Sequence, residues 1–207
     1  IILASFAAVA LMAYYPFLDA GAYVFAGLKE YAGNWEFNSS LYAPLYDYLQ
    51  KYFANDPAPN LFLGWGTDDK ARTAAKFILF AAGLCFFIGL WVHHIRKNYD
   101  SQKENFLHAV YLLLGALTLL NPAAHPWTII WIVPFLCFFP NPAWMLLTCT
   151  IFLSYRVLSG SATGGAWNES SEIRMWEYVP FYSILIGHFL WITITKRLKA
   201  HPPELSK

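Results

Sequence analysis

Residues 121–127 (NPAAHPW) set one histidine between two prolines, at the point where two long apolar runs meet. Pro122 and Pro126 restrict the backbone on both sides of His125. Imidazole has an ordinary pKa of about 6.5, so it can accept a proton, hydrogen-bond a phosphate when neutral, or pair with one when charged. The alternative is a histidine that only caps a helix or binds a carbonyl. We predict that His125 contacts a phosphate, and that Trp127 stacks on a sugar ring or lies in the aromatic belt of the membrane interface.

Residues 34–40 (NWEFNSS) combine an aromatic ring, a carboxylate and two amides. Aromatic faces cover pyranose rings, while amides and carboxylates hydrogen-bond to sugar hydroxyl groups. This composition predicts sugar or acceptor contacts for Trp35, Glu36 and Asn38. The same residues would also suit an interfacial turn between two amphipathic helices, so that interpretation stays open beside the first.

Two arginines are further candidates for contact with a phosphate. Arg156 lies near the end of an apolar run, where a charge is costly unless it pairs or reaches the interface. Arg174 lies within residues 167–178 (WNESSEIRMWEY), and either pairs with Glu177 three residues later or forms bidentate hydrogen bonds with a phosphate. We therefore predict that His125, Arg156 and Arg174 form the phosphate site. The sequence has no motif for a metal, nucleotide, redox cofactor or nucleic acid, so we expect no cofactor and no nucleic-acid partner.

The elements that must position these residues are membrane helices. The chain is 57% apolar and only 13% charged, whereas a soluble domain carries about 25% charged residues. A membrane helix needs roughly 20 apolar residues. We predict an all-α, polytopic transmembrane helical bundle that forms a single membrane domain over residues 1–207. Its spans, about six in number, are predicted at residues 1–18, 73–93, 105–120, 127–140, 143–158 and 178–196.

Basic residues predict the orientation of these spans, because cytoplasmic loops carry an excess of lysine and arginine. The connection 94–104 and the C-terminal tail are both basic, so both are predicted to be cytoplasmic. Within the first outer loop, residues 20–32 and 40–53 are predicted to form interfacial amphipathic helices. The segments that then lie on the outer face of the membrane are residues 19–72, 121–126 and 159–177.

Three stretches taken together carry a family resemblance. They are residues 19–41, which include DAG, GLKEYA and WEFNSSL, the turn 121–127 (NPAAHPW), and residues 176–180 (WEYVP). Their order resembles the C-terminal half of bacterial multi-spanning glycosyltransferases of the GT-C superfamily, the polyprenol-phosphate-mannose-dependent mannosyltransferase-like proteins. The resemblance implies transfer of a sugar, mannose in those proteins, from a polyprenyl-phosphate donor to an acceptor on the non-cytoplasmic face of the bacterial inner membrane. It implies no metal ion.

The resemblance also concerns the catalytic base. In that family the general base is an aspartate or glutamate of the first outer loop, near the N-terminus. This chain begins at Ile1 inside an apolar run, so we expect it to be the C-terminal part of a longer protein whose base lies upstream. The catalytic residue is therefore unknown, and the residues named above are candidates for binding.

The competing interpretation is a non-enzymatic membrane protein, such as half of a transporter or an assembly subunit that binds a partner subunit. A transporter would show ionisable residues near span centres or broken helices, and His108 and His188 are residues of this kind. The candidate site residues cluster instead on one predicted face, which favours chemistry at the membrane surface. The expected partners are accordingly a lipid-linked sugar donor and membrane lipid.

Overall fold

The computed structural model describes residues 2–54, 69–96, 102–162 and 170–200. Within these residues the predicted all-α fold class is confirmed. The α-helices are α1 (Ile2–Tyr14), α2 (Ala26–Asn34), α3 (Tyr42–Phe53), α4 (Lys70–Arg96), α5 (Gln102–Leu120), α6 (Val133–Leu136), α7 (Pro142–Thr150), α8 (Arg156–Ala162) and α9 (Ser171–Ala200). Shorter 3₁₀ helices cover Tyr15–Phe25, Pro126–Trp131 and Ile151–Tyr155.

Several helical stretches are long and apolar enough to cross a membrane. Among the described residues there are four of them: Ile2–Asn34, Lys70–His93, Pro142–Ser159 and Ser171–Leu198. Phe106–Leu120 is a shorter apolar helix. The prediction of a helical membrane protein is therefore supported, whereas the count of six spans is not confirmed.

The orientation of the chain in the membrane stays a prediction. Parts of the predicted cytoplasmic connection 94–104 and of the outer segment 159–177 lie outside the described residues. The same is true of the tail after residue 200.

Residues 127–140, predicted as one span, do not form a continuous helix. The 3₁₀ helix Pro126–Trp131 is followed by α6, which has only four residues. Pro134 lacks the backbone N–H that a regular α-helix would need in the middle of the segment. The predicted turn after this segment is present, because the side chain of Asn141 caps the start of α7.

The first predicted outer loop also differs from the expectation. Gly21 has φ 54° and ψ −130° and bends the chain within the first 3₁₀ helix, a backbone conformation that favours glycine. The first stretch of membrane length continues beyond this bend to Asn34, so an interfacial helix at residues 20–32 is not confirmed. The helix predicted at residues 40–53 is present as α3, which packs on α4.

The main core lies where α5, α7 and α9 meet the segment after His125. Leu147 and Phe181 are completely buried there. Gly115 on α5 permits a close approach to Trp144, because a Cβ at that position would lie 3.0 Å from Trp144 Cζ2. Close packing, rather than hydrophobicity, holds helices together in a membrane. This contact therefore sets how near α5 and α7 can lie.

A smaller core joins α3 to α4 through Tyr42, Ala75 and Leu79. Leu120, the last residue of α5, packs against the same cluster, so the beginning of α4 and the end of α5 lie at one end of the bundle. The loop that precedes α3 and the turn that follows α5 extend from this end. The two cores therefore bring the segments 34–40 and 121–127 close together.

Candidate functional site

The loop before α3 and the turn after α5 pair through their backbones. The Phe37 N–H donates to the Pro122 carbonyl at 3.0 Å, and the Ala124 N–H donates to the Phe37 carbonyl at 2.7 Å. These hydrogen bonds join two of the three segments that the sequence predicts to carry function. The pairing places Phe37 beside the histidine of the turn.

His125 lies between two aromatic rings. Its imidazole stacks on Phe37 with ring centroids 4.7 Å apart and on Trp127 at 4.2 Å, while Trp35 meets it edge-on at 6.0 Å. Burial lowers the pKa of His125 below its ordinary value, which keeps the ring neutral near pH 7. Its Nε2 is buried and has no hydrogen-bond partner among the described residues. A neutral ring with an unsatisfied nitrogen is suited to one hydrogen bond with a ligand.

The two tryptophans beside His125 are largely accessible. Trp35 is 50% exposed and Trp127 is 58% exposed. They contact the same imidazole, so their rings offer two apolar surfaces at the edge of one polar group. This combination suits an amphipathic ligand that carries both ring faces and polar oxygens.

Glu36 belongs to a cluster of charges with α4. Its Oε1 lies 2.7 Å from Arg72 Nε and 3.7 Å from Lys76 Nζ, and Tyr42 donates its hydroxyl hydrogen to the same oxygen. No hydrogen bond of the described residues ends on the second oxygen of Glu36, Oε2. The sequence predicts a sugar or acceptor contact for Glu36, and the structure leaves Oε2 for such a contact while Oε1 is held.

The two α4 cations also hold the end of α2. Lys76 Nζ donates to the Ala32 carbonyl at 2.9 Å and the Gly33 carbonyl at 2.7 Å. A cation at this position complements the partial negative charge of a helix C-terminus. Arg72 Nη1 donates to Asn34 Oδ1 at 3.4 Å. Sequence reasoning missed both residues, although their four-residue spacing puts them on one helix face.

Two tyrosines of α3 complete this part of the site as hydrogen-bond donors. Burial, and then the hydrogen bond and charge of Glu36, raise the pKa of Tyr42 far above its ordinary value. Tyr46 donates to Asp69 Oδ2 at 2.7 Å, and burial, followed by this hydrogen bond, raises the pKa of Tyr46 to about 12. Both phenols therefore keep their protons at neutral pH.

The third predicted segment joins the site through Glu177. The Asn38 side-chain amide donates to Glu177 Oε2 at 2.6 Å, and the Ser154 N–H donates to Glu177 Oε1 at 2.8 Å. The Tyr178 hydroxyl donates to the Asn38 carbonyl at 2.9 Å. The sequence offers Glu177 as a surface partner for Arg174, but the structure buries this carboxyl among hydrogen-bond donors. Asn38 lies 139 residues from Glu177, so no local pattern could have indicated the contact.

The two predicted phosphate-binding arginines differ in position. Arg174 lines a small cavity of about 20 Å³ together with Phe37, Asn38 and Ser154, which is room for roughly one water molecule. Arg156 is exposed, and no hydrogen bond or ion pair of the described residues brings its side chain to the His125 cluster. The structure therefore brings Arg174 to the edge of the site, but not Arg156.

A larger groove lies elsewhere in the bundle. It measures about 440 Å³ and is mostly apolar, and His108 and His188 both line it with Tyr111 and Trp144. It shares no lining residue with the His125 cluster. No group of three or more His, Cys, Asp or Glu residues in the described ranges could hold a metal ion.

Comparison with protein-family models, curated proteins and solved structures finds no match for this chain. The resemblance to GT-C glycosyltransferases is therefore a hypothesis based on the three sequence stretches. The same three stretches supply Phe37, Asn38, His125 and Glu177, which contact one another in pairs at one end of the bundle.

Proposed function

We propose that this chain is part of an integral membrane glycosyltransferase of the bacterial inner membrane. It transfers a sugar, mannose in this proposal, from a polyprenyl-phosphate donor to an acceptor at the non-cytoplasmic surface. The connection 94–104 and the C-terminus face the cytoplasm. The observation that carries the proposal is the buried Nε2 of His125, which has no partner among the described residues, in a ring that contacts two half-exposed tryptophans.

In this proposal His125 binds the donor phosphate. During transfer, the acceptor hydroxyl oxygen bonds to the anomeric carbon as the bond from that carbon to the phosphate oxygen breaks. The phosphate leaves with the electron pair, and the hydroxyl proton passes to a base. A hydrogen bond from the imidazole N–H would stabilise the charge that develops on the phosphate. Because Nε2 is buried in the free protein, donor binding must displace one of the aromatic rings beside it. Arg174, which lines the small cavity with Phe37 and Asn38, adds positive charge at the edge of the site.

In this proposal the loop before α3 binds the sugar. The exposed faces of Trp35 and Trp127 cover its ring, and Oε2 of Glu36 accepts a hydrogen bond from one hydroxyl. The α4 cations and Tyr42 hold the other oxygen of Glu36, so its carboxylate has a defined orientation. Fixed orientation of this kind is what a binding group needs in order to favour one sugar geometry.

The test is transfer of radiolabelled sugar from polyprenyl-phosphate donors in membranes that contain the full-length protein. We expect His125→Ala to lower the rate by roughly a hundredfold, because loss of one donor to a developing oxyanion costs about 10²–10³ in kcat. His188→Ala is the matched control, since it removes a histidine that lines the separate groove. Equal rates for His125→Ala and the unmodified protein would contradict the assignment.

The second candidate function is a transporter or an assembly subunit. The observation that favours it is the groove, because His108 and His188 both line it at a depth between the ends of α5 and α9. Ionisable residues within membrane helices commonly mark a transport pathway. This candidate predicts a different result in the same experiment: no transfer with any donor, for the unmodified protein and for both variants.

A further inference from the structure

Glu177 is a carboxyl group without exposed surface, and the proposed reaction gives it no contact with donor or acceptor. We propose that Glu177 is a positioning residue of the site. It holds Asn38 in place, and through Asn38 it sets the stack of Phe37 on His125. The role of that stack in catalysis rests on the proposed function. The contacts that hold the stack do not depend on any reaction.

The contacts of Glu177 match a carboxylate and no other side chain of its shape. One oxygen accepts from the Asn38 amide, and the other accepts from the Ser154 N–H. A glutamine in this place has only one acceptor oxygen, so its NH₂ group would face one of the two donors. Burial of a carboxyl is costly unless hydrogen bonds satisfy it. Both oxygens are satisfied here, which explains how the bundle tolerates the group.

Asn38 has a backbone conformation that needs support. Its φ is 44°, in the left-handed region that few residues other than glycine adopt, although asparagine does so more often than most. Tyr178 donates to its carbonyl, and the neighbouring Ser40 hydrogen-bonds to Tyr182. Glu177, Tyr178 and Tyr182 all belong to α9, so one helix holds the segment at three points.

The position of Asn38 determines that of Phe37, the residue that precedes it in the chain. Phe37 pairs with the 121–127 turn through both of its backbone groups, and its ring stacks on His125. If Asn38 leaves its left-handed conformation, the Phe37 backbone must rotate and the ring must move. The buried Nε2 of His125 would then become accessible to solvent.

The rate at which diethyl pyrocarbonate modifies each histidine tests this chain of contacts. The reagent acylates neutral imidazole nitrogen, and peptide mass spectrometry of the intact protein in detergent reports each histidine separately. We expect His125 to react about tenfold faster in Glu177→Ala, because loss of two buried hydrogen bonds changes an opening equilibrium by about that factor. Glu177→Gln should give a smaller increase, since it keeps one acceptor.

Glu172→Gln is the matched control, because Glu172 is an exposed carboxyl on the same helix. His188 is the internal reference in every sample. Adding Glu177→Ala to Asn38→Ala should raise the His125 rate no further, since the two residues act through one another. If Glu177→Ala does not fold, the His125 rate in Glu177→Gln is compared with that of the unmodified protein instead.

Two results would overturn the proposal. One is an unchanged His125 rate in folded Glu177→Ala and Glu177→Gln. The other is an equal acceleration of His125 and His188, which would show that Glu177 only stabilises the bundle as a whole. The measurement requires no donor, so a protein without transferase activity could still give the expected result. The inference and the proposed function can therefore fail separately.

Discussion

Two carboxyl groups are held near the Trp35–His125 cluster in opposite ways. Glu36 is 23% exposed at its side chain and contacts two cations, Arg72 and Lys76. Glu177 has no exposed surface and contacts the uncharged donors of Asn38 and Ser154. The first interaction is an ion pair in partial contact with solvent, and the second is a hydrogen-bond network in the protein interior.

This difference shows which contacts of the site are weakened by water and salt. An ion pair near the surface is weakened by water and salt, so its contribution to stability is small. A buried network is insensitive to salt, but loss of one member leaves the others unsatisfied. The α4 cations therefore hold the loop through charges that solvent screens, whereas Glu177 holds it through buried hydrogen bonds.

Glu177→Ala is expected to have the largest effect on stability. It leaves the Asn38 amide and the Ser154 N–H buried without an acceptor, at a cost of about 1–3 kcal/mol for each. The thermal midpoint in detergent should therefore fall by several degrees, and by the same amount at low and high salt. Glu172→Ala, which changes an exposed carboxyl on α9, should have no such effect. A midpoint within error of the unmodified protein would contradict the comparison.

Arg72→Gln is expected to have an intermediate effect. It removes the closer of the two cations from Glu36, and a partly exposed ion pair contributes up to about 1 kcal/mol. The loss should be clear at low ionic strength and nearly absent at roughly 1 M salt, where the Debye length is about 3 Å. Thermal unfolding at both salt concentrations measures it, with Lys51→Gln on the exposed side of α3 as the control. A loss that does not change with salt would mean that Arg72 acts through packing rather than charge.

The pH dependence of stability is expected to show the smallest effect. Burial lowers the pKa of His125 in the folded protein below the value of 6.5 that it has in an unfolded chain. As pH falls below about 6.5, the unfolded chain binds the proton first, so stability decreases. The stability that neutral His125 contributes is complete above that pH. It is lost as pH falls through the pKa that His125 has in the folded protein.

Thermal midpoints at about pH 7.5 and about pH 5.5 measure this dependence. The decrease on acidification should be smaller for His125→Gln than for the unmodified protein. His93→Gln, at an exposed histidine of α4, should behave like the unmodified protein. A larger acid loss in His125→Gln would show that the imidazole is stabilised in its charged form.

Local pattern was sufficient for much of the candidate site. Trp35, Glu36, Asn38, His125 and Trp127 were all predicted from two short segments, and the structure brings these segments together. Polar residues are conspicuous in a chain that is 57% apolar, because each has a cost in lipid that a structural role seldom requires. The helix α3 was predicted from the helical spacing of its apolar residues.

The partners of those residues could not be predicted in the same way. From the sequence, Arg72 and Lys76 are ordinary charged residues at the start of a predicted span, and Glu177 is predicted to be a surface carboxyl group. Asn38 and Glu177 are 139 residues apart, and such a contact depends on how α9 packs on α7 rather than on any spacing within either segment. The span at 127–140 was wrong as a continuous helix for a different reason, because hydropathy counts apolar residues and proline interrupts their hydrogen bonding.

Composition and hydropathy by themselves determined that this protein is helical and suited to a membrane, since apolar runs of this length cannot be solvated otherwise. They also indicated the short segments in which polar and aromatic residues stand together. Only the tertiary structure decided that Glu36 meets cations and that Glu177 meets neutral donors. The physical reason is that the free energy of a charge depends on its burial and its neighbours, and both are set by helix packing between distant parts of the chain.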